Sequence, residues 1–269
     1  MNENDMLDKA DKYTVAMGND MVRKLCLPLS VQSLKVLCYC VSQIKPDDTP
    51  DTWYTIRISS LARCCGFNIS NSGGIYYKRL KQCLHALAIR KWGTLPGNDS
   101  EEYLLSWLGD AKAESAPATV TFRFNPFLHP YLFDLIHSGN YTQYRLYRIL
   151  CLQSKYSILL YLLLRTYVYD DKLESGKVQS IKLDASFLTG YFGCSEWRYF
   201  KRDILDKAII ELNNKSDEFW IEYVCERERF NNAVDKVVFS ITPVSRDQAE
   251  KAMTAIMNKL NINTSDREL

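Results

Sequence analysis

One arrangement of residues occurs twice in this chain, and it constrains the fold more than any other feature. In the first copy Ile56-Arg57-Ile58 leads into Ser59-Ser60-Leu61-Ala62-Arg63-Cys64-Cys65-Gly66, and Tyr76-Tyr77-Lys78-Arg79 follows. In the second, Ile181-Lys182-Leu183 leads into Asp184-Ala185-Ser186-Phe187-Leu188-Thr189-Gly190-Tyr191-Phe192-Gly193, and Tyr199-Phe200-Lys201-Arg202 follows. Each copy reads as an alternating strand, a short helix closed at a glycine, and a second helix that opens on aromatic and basic residues. Alternation at period two marks the strand, and glycine suits a helix end because it enters the left-handed region without penalty. Two further strands come after each copy. This is the order of a winged helix. The fold expected is therefore α+β, mainly helical, with tandem winged-helix domains related by a pseudo-repeat. Two such units suggest a clamp on duplex DNA and not an active site.

A chain of 269 residues accommodates two domains, and 46% apolar with 25% charged residues fits an ordinary globular protein with a core in each half. The net charge is only +2, so a nucleic-acid partner has to be argued from where charges lie. They are unevenly placed. Between Asp51 and Asp99 there is no acid, while Arg57, Arg63, Lys78, Arg79, Lys81, Arg90 and Lys91 fall in that window. Clustered cations without competing carboxylates are what phosphate neutralisation needs. The competing reading is a chance gap in a neutral surface.

Several function classes find no support. The nine cysteines form no C-x-x-C, and His85, His129 and His137 have no ligand spacing with them; free thiols in a reducing cytoplasm are expected, and no metal. There is no G-x-x-x-x-G-K-[ST] and no G-x-S-x-G. The scattered histidines do not make the paired-His metal site of a tyrosine nicking enzyme. No enzymatic activity and no cofactor are expected. Residues 1–20 lack the apolar core of a signal peptide. The longest apolar run, Ile158 to Leu164, is closed by Arg165 and reads as a buried helix, not a membrane span.

Composition divides the chain into a flexible arm at 1–28, a first winged-helix domain at 29–137, a second at 138–262 and a polar tail at 263–269, with Ser138-Gly139-Asn140 as the joint. Ser30 can cap a helix whose Val31, Leu34, Leu37, Cys38, Val41 and Ile44 form one apolar stripe. Asn68 to Gly74 reads as a polar turn. Residues 103–108 and 119–124 read as strands joined by an acidic loop at 109–118. In the second domain Asp184 and Ser195 are N-cap candidates, strands follow at 219–225 and 237–241, and a last helix spans about 245–260.

The helix from Ser195 to about Asn213 carries the sharpest functional reading. At 100° per residue Trp197, Phe200, Ile204, Leu205, Ala208 and Leu212 share the core face. Tyr199, Arg202, Asp203 and Asp206 fall opposite, and Arg198 and Lys201 lie at the borders, where long side chains reach outward. Recognition helices place N-terminal residues against base edges. Arginine can grip guanine with two parallel N–H groups, whereas Lys201 suits phosphate. The plainer reading is a solvated helix face, which Asp203 and Asp206 favour. Arg227 and Arg229 sit in a candidate wing, Arg227-Glu228-Arg229-Phe230-Asn231-Asn232, that could touch backbone or minor groove; a mixed-charge hairpin tip is the alternative. Lys78, Arg79 and Lys81 open the long helix of the first domain and read as phosphate contacts or as the rim of an interface.

Two stretches resemble a known family, the initiator replication proteins of iteron-bearing bacterial plasmids. One is Phe124-Asn125-Pro126-Phe127-Leu128-His129-Pro130-Tyr131-Leu132, continuing through Tyr141-Thr142-Gln143-Tyr144 to Ser154-Lys155-Tyr156-Ser157 and Leu160-Tyr161-Leu162-Leu163. The other is Tyr199-Phe200-Lys201-Arg202-Asp203-Ile204-Leu205-Asp206-Lys207-Ala208-Ile209-Ile210-Glu211-Leu212-Asn213, similar to the family's recognition helix. Tyr77-Lys78-Arg79-Leu80-Lys81 is a looser match, and the resemblance spans about 25–245. It implies a non-enzymatic DNA-binding protein of the bacterial cytoplasm. The second domain would bind repeated origin duplex in the major groove, and the first would add backbone contacts and carry dimerisation. Monomers would open the origin with host helicase or initiator proteins, and dimers would repress the gene. The alternative is a transcriptional regulator on the same tandem winged helices. Asp203 departs from the family pattern, which often has a third basic residue there, and the 109–118 segment departs in length.

Overall fold

The computed structural model describes residues 13–24, 29–67, 75–89, 91–95, 98–115, 118–228 and 233–259. The chain divides into two compact units between Leu150 and Cys151, and residues 22–24 group with the second. In chain order the first unit holds β1 (Thr14–Gly18), the first half of α1 (Asn19–Lys24), α2 (Val31–Val41), β2 (Tyr54–Arg57), α3 (Ile58–Cys64), α4 (Ile75–Ala88), β3 (Lys91–Leu95), β4 (Asn98–Leu105), β5 (Leu108–Ser115), β6 (Ala118–Phe124), α5 (His129–Leu132), α6 (Leu135–Ser138), β7 (Tyr141–Arg145) and α7 (Leu146–Leu150). The second holds α8 (Lys155–Arg165), α9 (Asp170–Glu174), β8 (Gln179–Asp184), α10 (Ala185–Tyr191), α11 (Trp197–Tyr199), a π-helical stretch (Phe200–Leu205), α12 (Asp206–Lys215), β9 (Phe219–Arg227), β10 (Val234–Pro243) and α13 (Arg246–Lys259).

The pseudo-repeat is visible in the sheets. Their strand orders are β2-β6-β5 and β8-β10-β9, all antiparallel. In each unit the strand before the helix pair lies against the last strand of the hairpin, Ile56 opposite Val120 and Ile181 opposite Phe239. The two short helices also end alike, at Gly66 (φ +77°) and Gly193 (φ +65°), a left-handed backbone that glycine adopts without strain. The first unit adds a separate two-stranded sheet, β3-β4, between α4 and its wing.

Each unit has its own core. Leu34, Leu37, Ile58, Leu61, Leu80, Leu87, Phe122 and Phe124 are buried in the first. Ile158 to Leu164, Leu188, Phe200, Leu205, Phe219 and Phe239 are buried in the second. A fully buried side chain of this size contributes about 1.5–3 kcal/mol. Ser30 caps α2 as expected, accepting from the Ser33 N–H at 3.1 Å. That helix is buried all round from Ser33 to Val41, not along one stripe. Even Lys35 is buried, its Nζ donating to the Leu150 carbonyl at 2.5 Å.

Four expectations need correction. Residues 14–24 of the supposed arm 1–28 are ordered structure: β1 pairs with β7 from Thr14↔Arg145 to Gly18↔Tyr141, and Val15, Met17 and Met21 are buried. Residues 1–12 and 25–28 of the arm lie outside the described ones. The joint is not at 138–140. Pairing of β7 with β1, and burial of Leu146 and Ile149, tie residues 141–150 to the first unit. Residues 108–115 are a strand and not part of an acidic loop. β5 pairs with β6 as the first unit's wing, Asp110 opposite Arg123 and Glu114 opposite Thr119. From Asp110 to Glu114 it is exposed on both faces, so it carries no apolar alternation to read. Finally, Ser195 is not the cap of the recognition helix; Glu196 holds that position. The 68–74 turn and the 263–269 tail lie outside the described residues.

Candidate nucleic-acid interface

The helix of the second unit expected to face DNA is one rod, Trp197 to Lys215, wound as a π-helix over Phe200–Leu205. Phe200, Ile204, Leu205, Ala208 and Leu212 are buried as the 100° periodicity predicts. Ile209 is buried too, while Trp197 is only half-buried. A π turn takes in an extra residue per turn, and beyond it the buried stripe widens to include Ile209 beside Ala208.

Polar contacts fix this rod in its unit. Asn213 pairs with the backbone of Ile221 on β9 in both directions, each bond 2.8 Å. Glu211 accepts from the Gln153 N–H at 2.7 Å, the Ser154 N–H at 3.1 Å and the Ser157 hydroxyl at 2.6 Å, and it pairs with Lys215. Burial pushes the Glu211 carboxyl up, but donors from Lys215, Ser157 and Gln153 outweigh it and hold the group below its ordinary value. Asp206 accepts from the Tyr223 hydroxyl on β9 and from Lys201 at 2.9 Å. The motif residues Glu211 and Asn213 therefore act as anchors and not as readers.

The N-terminal part of the rod presents Arg198, Tyr199, Arg202 and Lys207 outward, with Lys201 half-buried; further along, Ile210 and Asn214 are exposed. Arg198 makes no ion pair among the described residues. Arg202 is differently placed. Its Nε donates to both Asp203 oxygens at 3.1 Å and its Nη2 to Oδ2 at 2.5 Å, and its guanidinium lies 5.3 Å from the Tyr199 ring centroid. Lys207 reaches the same carboxylate at 3.3 Å. The bonds from Arg202 hold the Asp203 carboxyl below its ordinary value, and Asp203 in turn raises the Arg202 guanidinium. Lys201 sits over the Tyr223 ring, and hydrogen bonding with Tyr223 and Asp206 raises its ammonium well above the usual lysine range.

Arg227 is exposed at the end of β9. The tip beyond it is closed by the Glu228 N–H donating to the Ala233 carbonyl at 2.9 Å, and Arg229 lies outside the described residues. Glu226, next to Arg227 on β9, pairs with Lys182 across the sheet at 2.5 Å.

In the first unit α4 buries Leu80, Cys83, Leu84 and Leu87 and exposes Lys78, Arg79 and Lys81. Lys81 lies 5.3 Å over the Tyr77 ring. Arg57 and Arg63 are exposed as well. None of these five cations is ion-paired among the described residues.

Sequence reading missed two participants. Lys207 could have been found, since it follows Asp203 by one helical turn. Tyr223 could not, because its link to Asp206 joins residues 17 apart across a turn. Among the described residues no group of three His, Cys, Asp or Glu is placed to hold a metal, and no helix is long and apolar enough to cross a membrane. The eight described cysteines are free, and burial pushes the Cys64 thiol up to about 11 and that of Cys38 to about 12.

Comparison with known proteins closes the question of kinship. The family model for the initiator replication protein domain WH1 matches residues 14–165, and that for the initiator Rep protein domain WH2 matches 187–241. The chain belongs to the initiator replication protein family. As a family member it carries two winged-helix domains, and α11, the π stretch and α12 lie in the second. The solved structure of the Pi initiator protein in complex with iteron DNA shares this initiator's fold, with a TM-score of 0.70 and 20% identity over 87% of this chain and 99% of that one. A structure of domains 2 and 3 of RctB, as selenomethionine derivatives, superposes with a TM-score of 0.46 and 13% identity over 80% of this chain and 82% of that one, a likeness that carries no argument. No curated protein sequence matches the chain.

Proposed function

We propose that this initiator binds repeated duplex sequences at a replication origin. The second unit reads bases through Arg198, Tyr199 and Arg202 in the major groove. Lys201, Lys207 and the wing's Arg227 contact the backbone. The first unit grips phosphates through Lys78, Arg79 and Lys81. The observation that carries this reading is the exposed row Arg198–Tyr199–Arg202 at the N-terminal end of a rod whose other side is locked into the core. That is the end a recognition helix presents to base edges. The Pi initiator, of the same fold, was solved on iteron DNA. The role is non-enzymatic and belongs to the bacterial cytoplasm: binding opens the origin and recruits host helicase or initiator proteins, and a dimer represses the protein's own gene.

Footprinting of the purified protein on DNA flanking its gene tests the reading. Protection of a direct-repeat array is the expected result. Uniform, salt-sensitive coverage with no preferred site would sink it.

A further inference from the structure

We infer that Asp203 is a specificity-determining positioning residue: its carboxylate holds the Arg202 guanidinium in the one orientation that presents its outer edge to a base. The inference rests on the DNA-binding reading above and deepens it. A guanidinium has two hydrogen-bonding edges, a side edge of Nε and one terminal nitrogen, and an end edge of both terminal nitrogens. Asp203 occupies the side edge, with Nε 3.1 Å from each oxygen and Nη2 2.5 Å from Oδ2. The end edge, with two parallel N–H groups, remains, and that is the pair guanine O6 and N7 accept. The Tyr199 ring, its centroid 5.3 Å from the guanidinium carbon, is a second contact that limits rotation. The same carboxylate receives Lys207 at 3.3 Å, so it is itself held between two cations. The Asp203 side chain is 41% exposed, and every carboxylate on this surface repels phosphate. An acid here costs affinity for any DNA, and what it returns is a fixed arginine, which is discrimination and not strength.

The test uses the full chain and two probes: a duplex carrying one copy of the footprinted repeat, and a duplex of scrambled sequence, at one salt concentration. Asp203→Ala is expected to weaken repeat binding about tenfold and to strengthen scrambled binding about twofold to threefold. In an Arg202→Ala background, Asp203→Ala is expected to cause no further loss on the repeat, since the carboxylate acts through that arginine. Asp203→Asn, which keeps an acceptor, is expected to fall between wild type and Asp203→Ala. Equal strengthening on both probes would reduce Asp203 to a repulsive charge and overturn the inference. So would an unchanged loss in the Arg202→Ala background, which would place Asp203 directly on a base. A DNA-free readout separates this from the parent reading. The Arg202 Nε–H nuclear magnetic resonance signal should exchange slowly with water in the wild type and fast in Asp203→Ala. Fast exchange in both would overturn the inference whatever the protein binds.

Discussion

The helix that opens on Tyr76 to Arg79 and the rod that opens on Trp197 to Arg202 carry the same mixture of aromatic and basic residues, yet they hold their charges in opposite ways. In the first, Lys78, Arg79 and Lys81 stand in solvent with no carboxylate partner among the described residues, in a stretch that has no acid between Asp51 and Asp99. In the second, Asp203 and Asp206 engage Arg202, Lys207 and Lys201. Free, flexible cations release counterions when they meet phosphate, and they do so on any sequence. Cations tied to carboxylates surrender part of that attraction and gain a fixed direction. On the proposed reading one unit supplies grip and the other base reading, although both share one structural plan.

The comparison can be broken at several points. The largest effect is expected at Glu211, whose carboxylate serves two backbone N–H groups, a hydroxyl and Lys215. Glu211→Ala should destabilise the second unit by roughly 2 kcal/mol, because truncation leaves donors at a partly buried site unpaired. Chemical denaturation followed by a probe in each unit would show it, and an unchanged second transition would refute the anchoring role. Next, Arg202→Ala should lower affinity for the repeat by about tenfold to a hundredfold and for scrambled duplex far less. Equal losses on both would make Arg202 a phosphate contact and erase the contrast between units.

Smaller effects follow on the gripping side. Lys78→Ala and Arg79→Ala should each weaken binding a few-fold on every sequence and flatten the salt dependence by about one unit. An unchanged slope would assign them to an interface rim. The smallest effect concerns acid. Glu211 and Asp203 titrate below their ordinary values in the folded chain. A carboxylate with a lowered folded-state value contributes stability above its unfolded value, and that contribution is lost as pH falls through the folded one. The second unit should therefore lose stability as pH drops below about 4.5, the ordinary glutamate value, and Glu211→Gln should remove most of that slope. Equal acid sensitivity in wild type and variant would show that other groups govern it.

Much of this was legible in the residues. Alternation at Ile181 to Leu183, the glycines at 66 and 193 and the apolar stripe from Phe200 to Leu212 are local signals, and each produced the element expected. The failures have a common cause. β5 is an edge strand wet on both faces, so it lacks the alternation by which strands are recognised. β1 is held by β7, more than a hundred residues away in sequence, so a five-residue polar-flanked segment looked like an arm and the joint looked earlier than it is.

The amino-acid sequence by itself determined the repeat, the order of elements, the acid-free cationic window and the face of the recognition helix that enters the core, because all of these depend on neighbours within a few turns of chain. Only the tertiary structure decided which cations are held and which are open, that Tyr223 and Ile221 of the hairpin anchor the rod, and where one unit ends and the next begins. Those outcomes depend on side chains meeting across long loops, and no periodicity encodes such meetings.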